Sequence, residues 1–430
     1  MKKKRLIASI LLACTAFSFT ACGPKGSGSD EKTTITVQVE KDWVPYYESV
    51  KERVLEKHPN ATINFIETGA FDHLDVIDAT DATNKDVADV FALPADRLYT
   101  LSNNNILAGM DAKKMAEEVG GFKDFDGGLG GNFKIDDEYL AFPYNIETLV
   151  AYVNKENAEK AGIDLSKPIE FTSLDFGKMI VTAHDAWFGV AFTNAVDFEL
   201  LNKAEDGTLS TDGTKAYSEL TEDQKKLFEG LHSYWKSHYE NKTDLWDKEA
   251  AAGYLDAQFA AEDGAAIRID GPWATTSLAD KVGADNLEVL PLSNVTINGK
   301  SLSHWKGGWG LGINARVEEN EAQMELAEEF IKELVNPEYA QDLFKSTGKI
   351  LENVEASAYE GIGGMDEKVI EATYTSYEAS INRPLFLEYG KVWDTWQNAL
   401  LSWSSTNPTN AEEAYKQVQA SFEAMMATFN

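Results

Sequence analysis

Tryptophans beside turn residues are the feature of this sequence that points most directly to chemistry. Trp43 follows Asp42, Trp273 follows a Gly-Pro pair, and Trp305 and Trp309 stand among glycines. A tryptophan in a loop is costly to expose and usually lines a pocket or interface, although core packing is an equal alternative for each one alone. An indole face stacks on the C–H face of a sugar or attracts a cation, and carboxylates accept hydrogen bonds from sugar hydroxyls. The set favours a cleft for a carbohydrate.

The sequence has few signs of catalysis. Its six His form no His-Glu-x-x-His frame, its two Cys both fall within the first 22 residues, and it has no Gly-x-Ser-x-Gly elbow. Carboxylate pairs of the glycosidase type are uninformative in a chain with 71 acidic residues. Glu147 stands between two apolar strand segments, so it must lie in a cleft or be paired. We therefore expect no metal, no cofactor and no enzymatic activity.

The elements that must position these residues begin with a parallel sheet. Alternating apolar residues predict a strand over 33–39, Pro45 opens a helix, and further strands are predicted over 61–67 and 89–93. This β-α-β-α-β order implies a parallel sheet covered by helices. Strands over 138–153 are expected to leave this unit and enter another.

The remainder of the chain predicts a second, more helical unit. Residues 174–260 are expected to be mostly helical, with loops at 203–214 and 240–247, and a strand is predicted over 265–269. The glycines of 304–314 are expected to let the backbone approach something bulky. Helices are predicted again before Pro337 and over the last 45 residues.

The N-terminal residues have the pattern of a bacterial secretory signal. A basic start, MKKKR, precedes an apolar run that ends at a sequence similar to a lipoprotein processing box before Cys22. A rival box ends at Cys14, but its apolar run is near the lower limit for a signal. We assign residues 1–22 to the lipoprotein signal, 23–32 to a flexible tether, and Cys22 to lipidation.

The charge of the chain limits its partners. Its 430 residues include 39 Lys and Arg against 71 Asp and Glu, a net charge of −32. Nucleic acid and anionic lipid would be repelled, so we expect no nucleic acid and contact with the membrane only through the lipid anchor. A neutral or cationic ligand is compatible with this charge, which also serves simply to keep an exposed protein in solution.

Four segments carry a resemblance to a known family. They are 89–97, 141–149, 267–273 and 310–314, which read DVFALPADR, AFPYNIETL, IRIDGPW and GLGIN. Their order resembles that of the extracellular solute-binding proteins of ABC sugar importers, and of the maltodextrin-binding branch in particular. The similarity covers about residues 33–425.

The resemblance implies an α/β fold with two lobes, of the periplasmic-binding-protein-like type II, in which hinge segments join discontinuous lobes. The implied lobes are 33–145 with 311–360, and 147–305 with 362–430. The ligand would lie in the cleft between them.

The resemblance also implies ligand-binding residues. Asp96 and Arg97 would bond sugar hydroxyls from the first lobe, and Glu147 would do so near the hinge. Trp273 and Trp393 would stack on successive sugar rings from the second lobe.

Three further residues complete the predicted site. Asp42 falls in the loop where the family places a polar partner, and we add Trp43 beside it. Leu93 stands where the family has an aromatic residue, so one stacking contact is missing or moved. Trp309 or Trp305 is a candidate to replace it.

The expected function is capture of maltose or maltooligosaccharides and their delivery to the permease of an ABC importer. We expect a monomer, lipid-anchored on the extracellular face of the membrane of a bacterium, Gram-positive by this pattern. The alternatives are the same fold binding another oligosaccharide or a polyamine, a secreted glycosidase, and a glycan-capture module that serves no transporter.

Overall fold

The computed structural model describes residues 32–429, which contain two main sheets and the helices that cover them. The predicted signal, both cysteines and the tether up to residue 31 lie outside the described residues, so lipidation of Cys22 stays a prediction. Thr33–Asn430 forms one compact unit. The predicted lobe boundaries therefore also stay a prediction.

The strands of the described residues are mostly short. They are β1 Thr34–Val39, β2 Thr62–Glu67, β3 Val90–Pro94, β4 Lys134–Ile135, β5 Glu138–Tyr139, β6 Phe142–Glu147, β7 Val150–Asn154, β8 Ile169–Glu170, β9 Met179–Ile180, β10 Asn202–Lys203, β11 Leu209–Ser210, β12 Ile267–Asp270, β13 Leu287–Pro291, β14 Val295–Ile297, β15 Lys300–Ser301, β16 Trp305–Ile313, β17 Ile350–Leu351 and β18 Ile381–Asn382.

The helices include several long amphipathic ones. They are α1 Val44–Lys57, α2 Ala70–Ala79, α3 Leu98–Asn103, α4 Ala112–Val119, α5 Leu129–Asn132, α6 Lys155–Lys160, α7 Ala186–Ala195, α8 Glu222–Glu240, α9 Ala251–Ala260, α10 Thr275–Val282, α11 Glu321–Leu334, α12 Ala340–Thr347, α13 Gly364–Glu378, α14 Gly390–Leu401, α15 Trp403–Thr406 and α16 Ala411–Ala427.

The first sheet has the order β17-β6-β16-β3-β1-β2, and β18 pairs with the beginning of β16. Strand β1 is parallel to β2 and to β3, which confirms the predicted β-α-β-α-β unit. Helix α1 begins with a proline in its first turn, as predicted, and buries its apolar face. Strand β16 is antiparallel to both β3 and β6, so it returns a late part of the chain to this sheet.

The second sheet has the order β13-β7-β12-β9. Strand β7 is antiparallel to β12 and β13. Only Thr148 and Leu149 separate β6, in the first sheet, from β7, in the second. The chain therefore passes from one sheet to the other between these strands, as the sequence predicted for 138–153.

The glycines of β16 allow neighbouring side chains to reach its backbone. A Cβ at Gly308 would lie 2.5 Å from Leu129 Cδ1, and one at Gly310 would lie 2.7 Å from Phe133 Cε1. This close approach confirms the prediction made from the glycines. The segment is a strand and not a loop, however, so Trp305 and Trp309 are strand residues, and both are buried.

The predicted helices are partly confirmed. Helix α11 ends before Pro337, and α16 buries the apolar face expected near the C-terminus. The predicted loops at 203–214 and 240–247 lie between α7 and α8 and between α8 and α9, but the first non-helical stretch is longer than predicted. Residues 196–221 contain β10, β11 and short 3₁₀ turns, and the positive-φ backbone of Asp197 and Gly207 interrupts any helical period.

Candidate functional site

Glu147 and Trp309 are joined at the centre of the first sheet. Glu147 is the last residue of β6, and Trp309 lies on the adjacent strand β16. The Trp309 Nε1–H donates a hydrogen bond to Glu147 Oε2 at 3.0 Å. Burial raises the pKa of the Glu147 carboxyl, although the charge of Lys349 and the bond from Trp309 act in the opposite direction. Glu147 is therefore paired, which is one of the two possibilities considered from the sequence, and its position in a cleft stays a prediction.

Lys349 lies against the same indole. It follows Gly348, whose left-handed backbone ends α12. The Lys349 Nζ lies 5.1 Å from the ring centroid of Trp309 and 5.4 Å from that of Trp43. Burial lowers the pKa of the Lys349 ammonium, whereas the charge of Glu147 raises it. A half-buried cation thus lies near two indoles and one carboxylate.

Phe71 covers another part of Trp309. It lies in the first turn of α2, and its ring is 63% exposed. The two ring centroids are 5.2 Å apart in an edge-to-face arrangement. An exposed aromatic face therefore adjoins the Glu147–Trp309 pair.

A second cluster surrounds Arg383, which follows β18. Its guanidinium carbon lies 5.3 Å from the ring centroid of Trp187, 5.5 Å from that of Trp305 and 5.4 Å from that of Trp393. Its Nη2 lies 3.1 Å from Asp96 Oδ1, in the turn after β3. This ion pair is the charged contact of Asp96 Oδ1, whereas the buried Arg383 Nε has no hydrogen-bond partner among the described residues. Such an atom is costly unless something else satisfies it.

The two clusters adjoin each other. The charges of both Arg383 and Asp96 act on the Glu147 carboxyl. A Cβ at Gly307 would lie 3.0 Å from the Glu147 carbonyl oxygen and 3.1 Å from Trp187 Cη2. The glycine therefore lets the Trp187 ring approach β16 at the residue that pairs with Glu147.

The structure brings together five of the eight predicted ligand-binding residues. These are Trp43, Asp96, Glu147, Trp309 and Trp393, linked through Lys349 and Arg383. Trp393 is half-buried and contacts Trp305 edge-on at 5.8 Å between centroids.

The other three predicted residues lie outside these contacts. Arg97 forms a close ion pair with Asp78 through its Nη2. Asp42 is exposed in the turn that precedes α1. Trp273 lies over the Gly271 backbone and is 48% exposed, and no aromatic contact joins it to the two clusters within residues 32–429.

Sequence reasoning missed Phe71, Lys349, Arg383 and Trp187. Phe71 follows Gly69 closely, so the signal used for tryptophans, an aromatic beside a turn residue, could have found it. Lys349 and Arg383 gave no such signal, because a charged residue in a loop is normally a solvated one.

Two kinds of feature are absent from the described part of the chain. Residues 32–429 contain no group of three or more His, Cys, Asp or Glu arranged to hold a metal ion. None of their helices has the length and apolar content needed to traverse a bilayer.

Comparison with known proteins identifies the family. The family model described as bacterial extracellular solute-binding protein matches residues 50–362. A relative from Streptococcus pneumoniae serotype 4, named maltooligosaccharide ABC transporter solute-binding lipoprotein, is 26% identical over 413 residues, which cover 92% of this chain and 89% of the relative. The maltodextrin-binding protein MdxE of Bacillus subtilis is 24% identical over 430 residues, with 96% of both chains covered.

Solved structures show the same fold. MalX from Streptococcus pneumoniae in complex with maltopentaose superposes with a TM-score of 0.69 at 19% identity, covering 91% of this chain and 99% of MalX. The maltose-binding protein MalE from Listeria monocytogenes in complex with maltose gives 0.68 at 18% identity, covering 93% and 99%. The predicted type II binding-protein fold is confirmed, and these relatives are binding proteins and not enzymes, as expected. Because the family model spans most of its length, the chain belongs to the bacterial extracellular solute-binding proteins.

Proposed function

We propose that this protein binds maltooligosaccharides outside the cell and delivers them to an ABC importer. The observation that carries the proposal is the buried Arg383 Nε, which has no hydrogen-bond partner within residues 32–429 and belongs to a guanidinium surrounded by three indoles. Its N–H can donate to a sugar hydroxyl, and the carboxylate of Asp96 can accept from one. The names of the curated relatives supply the class of sugar.

The charges around the cleft favour a neutral ligand. The carboxylates of Asp96 and Glu147 face the cations of Lys349 and Arg383, so the four formal charges cancel. A polyamine would meet two fixed cations and bind poorly. A neutral polyol can use both signs, since its hydroxyls donate to carboxylates and accept from cations.

Closure of the predicted lobes would complete the site. The residues of the clusters come from β6, β16, α2, α7 and α14 and from the segments after β1, β3, α12 and β18, which lie far apart in sequence. We expect the two lobes to move about the segment between β6 and β7 when sugar bridges them. The closed form would then dock on the permease as a monomer.

The sequence supports an anchor at Cys22. The Streptococcus relative is named a lipoprotein, and a diacylglyceryl group supplies the two acyl chains that stable anchoring needs. The variant Cys22→Ser should appear in the culture medium, whereas Cys14→Ser should stay with the membrane. Retention of Cys22→Ser together with release of Cys14→Ser would place the anchor at the rival site.

Calorimetry of the full chain tests the binding proposal. We expect maltotriose to bind with a micromolar dissociation constant, which needs only about −8 kcal/mol. Cellotriose, which has β linkages, and spermidine serve as comparison ligands. Binding of spermidine without maltotriose, or no binding of any α-glucan, would contradict the proposal, and release of reducing ends during incubation would indicate an enzyme.

A further inference from the structure

We infer that Phe71 and Lys349 form, with Glu147, a subsite for one sugar ring built against the Trp309 indole. The inference rests on the proposed function and assigns two residues to it that sequence patterns did not identify. Phe71 supplies the apolar platform, Lys349 supplies a donor, and Glu147 supplies an acceptor.

The platform follows from the exposure of Phe71. It is the most exposed large hydrophobic residue within 32–429, at 63%. Leaving a phenyl ring in water is unfavourable, by roughly the free energy that its burial would return. Phe71 contacts the buried Trp309 in an edge-to-face arrangement, and most of its own side chain nevertheless stays open to solvent.

Phe71 also supplies the aromatic ring that is missing at Leu93. Leu93 is fully buried, and β3 places it opposite Gly310 of β16. Trp309 itself is only 6% exposed, so little of its face is open to a ligand. The aromatic face available on this side of the cleft therefore comes from α2, and Trp309 serves as its support.

The donor follows from the position of Lys349. Its ammonium lies near the Trp43 and Trp309 rings, and no carboxylate of the described residues lies within ion-pair distance of it. The aromatic faces stabilise the charge without using its three N–H donors. Those donors remain available for hydroxyl oxygens of a ligand, as an ion-paired lysine's would not.

The three groups match the surface of a pyranose ring. Such a ring has an apolar C–H face and a rim of hydroxyls, each of which donates and accepts. All three groups contact the Trp309 indole. The Lys349 Nζ lies 5.1 Å from its ring centroid, the Phe71 ring centroid lies 5.2 Å from it, and the indole N–H is bonded to Glu147. The subsite requires one sugar ring to contact all three groups together.

Calorimetry with maltotriose on the full chain tests the subsite. We expect Phe71→Ala and Lys349→Met each to weaken binding about tenfold, from loss of an apolar contact and of a charged hydrogen bond. Phe71→Trp should retain binding. The matched controls are Phe176→Ala, another exposed phenylalanine, and Lys345→Met, an exposed lysine on α12, and both should bind as the wild type does.

A labelling experiment on the wild type guards against variants that fold poorly. Reductive methylation followed by mass spectrometry should modify Lys349 less in the presence of saturating maltotriose, with Lys345 unchanged as the internal reference. Equal labelling of Lys349, or binding by both cleft variants within twofold of the wild type, would overturn the subsite. Failure of the wild type to bind any α-glucan would instead overturn the proposed function.

Discussion

Arg383 Nη2 lies 3.1 Å from Asp96 Oδ1, although the two residues belong to distant parts of the chain. Asp96 follows β3 and Arg383 follows β18, so the ion pair joins the turn after one strand to a segment that pairs with the beginning of β16. The Arg383 side chain is 3% exposed and that of Asp96 is 24% exposed. The guanidinium is thus held by one carboxylate and three indoles.

Breaking this pair should reduce both stability and binding. Arg383→Met leaves a half-buried carboxylate unpaired, and we expect the free energy of unfolding to fall by roughly 2–4 kcal/mol. Arg383→Lys should lose less, because it keeps the charge but not the planar stacking on indoles. Urea denaturation measures the change.

The double variant Arg383→Met with Asp96→Asn distinguishes the contribution of the ion pair from that of the aromatic contacts of Arg383. If the pair carries the effect, adding Asp96→Asn should recover part of the lost stability, which gives a nonzero coupling energy. Additive losses would mean that Arg383 acts through its aromatic contacts alone.

The charged Glu147 carboxyl should lower the stability of the fold and strengthen ligand binding. Because burial raises its pKa in the folded state, the charged carboxyl opposes folding at neutral pH, and this cost disappears as the pH falls below the usual value of 4.5. Glu147→Gln should therefore be at least as stable as the wild type at pH 8, with the difference vanishing near pH 4.

The affinity of Glu147→Gln for maltotriose should be lower than that of the wild type. Loss of the charged acceptor should weaken maltotriose binding about tenfold. Calorimetry and urea denaturation of the same preparation check both parts, and a variant that loses stability at pH 8 while binding normally would contradict the assignment.

Glu352 provides a second pH dependence, outside the cleft clusters. Its Oε1 accepts a hydrogen bond from the Leu129 N–H at 2.9 Å, and its buried Oε2 has no partner within residues 32–429. Burial raises the pKa of this carboxyl from 4.5 to about 7, and the charge of Asp124 adds to the shift. The folded state therefore binds a proton that the unfolded state releases.

The wild type should accordingly lose stability as the pH rises from 4.5 to 7. The contribution of this group is on the order of 3 kcal/mol across that range. Glu352→Gln should remove it, so the difference between the two proteins should grow over the same interval and then level off. Glu355→Gln, an exposed position, is the control, and parallel curves for wild type and Glu352→Gln would contradict the prediction.

Local patterns predicted much of this fold because they depend on few neighbours. The alternation in β1, the proline at the beginning of α1 and the apolar face of α16 are properties of single segments. The glycines of β16 were harder to interpret. They resembled a loop because their reason, the approach of Leu129 and Phe133 to the strand, comes from residues far away in the chain.

In the candidate site, too, some residues could be identified from the sequence and others only from contacts in the folded chain. Trp43, Glu147 and Trp393 could be proposed from residue type and resemblance, and the structure places them in the two clusters. Lys349 and Arg383 could not, since their importance lies in contacts that only the folded chain creates. Arg97 stays a candidate by position, and its ion pair with Asp78 could not be predicted because it depends on where α2 packs.

Trp273 and Trp393 should respond differently to removal. Trp273 is 48% exposed, so Trp273→Ala should change the free energy of unfolding by less than about 1 kcal/mol. Trp393 is half-buried and packs against Trp305, Tyr389 and Arg383, so Trp393→Ala should cost about 2–4 kcal/mol. If both rings stack on successive sugars, each variant should weaken maltotriose binding about tenfold or more. Urea denaturation and calorimetry distinguish the two effects: a stable Trp273→Ala that binds with wild-type affinity would remove Trp273 from the site and leave the indoles around Arg383 as the stacking surface on that side.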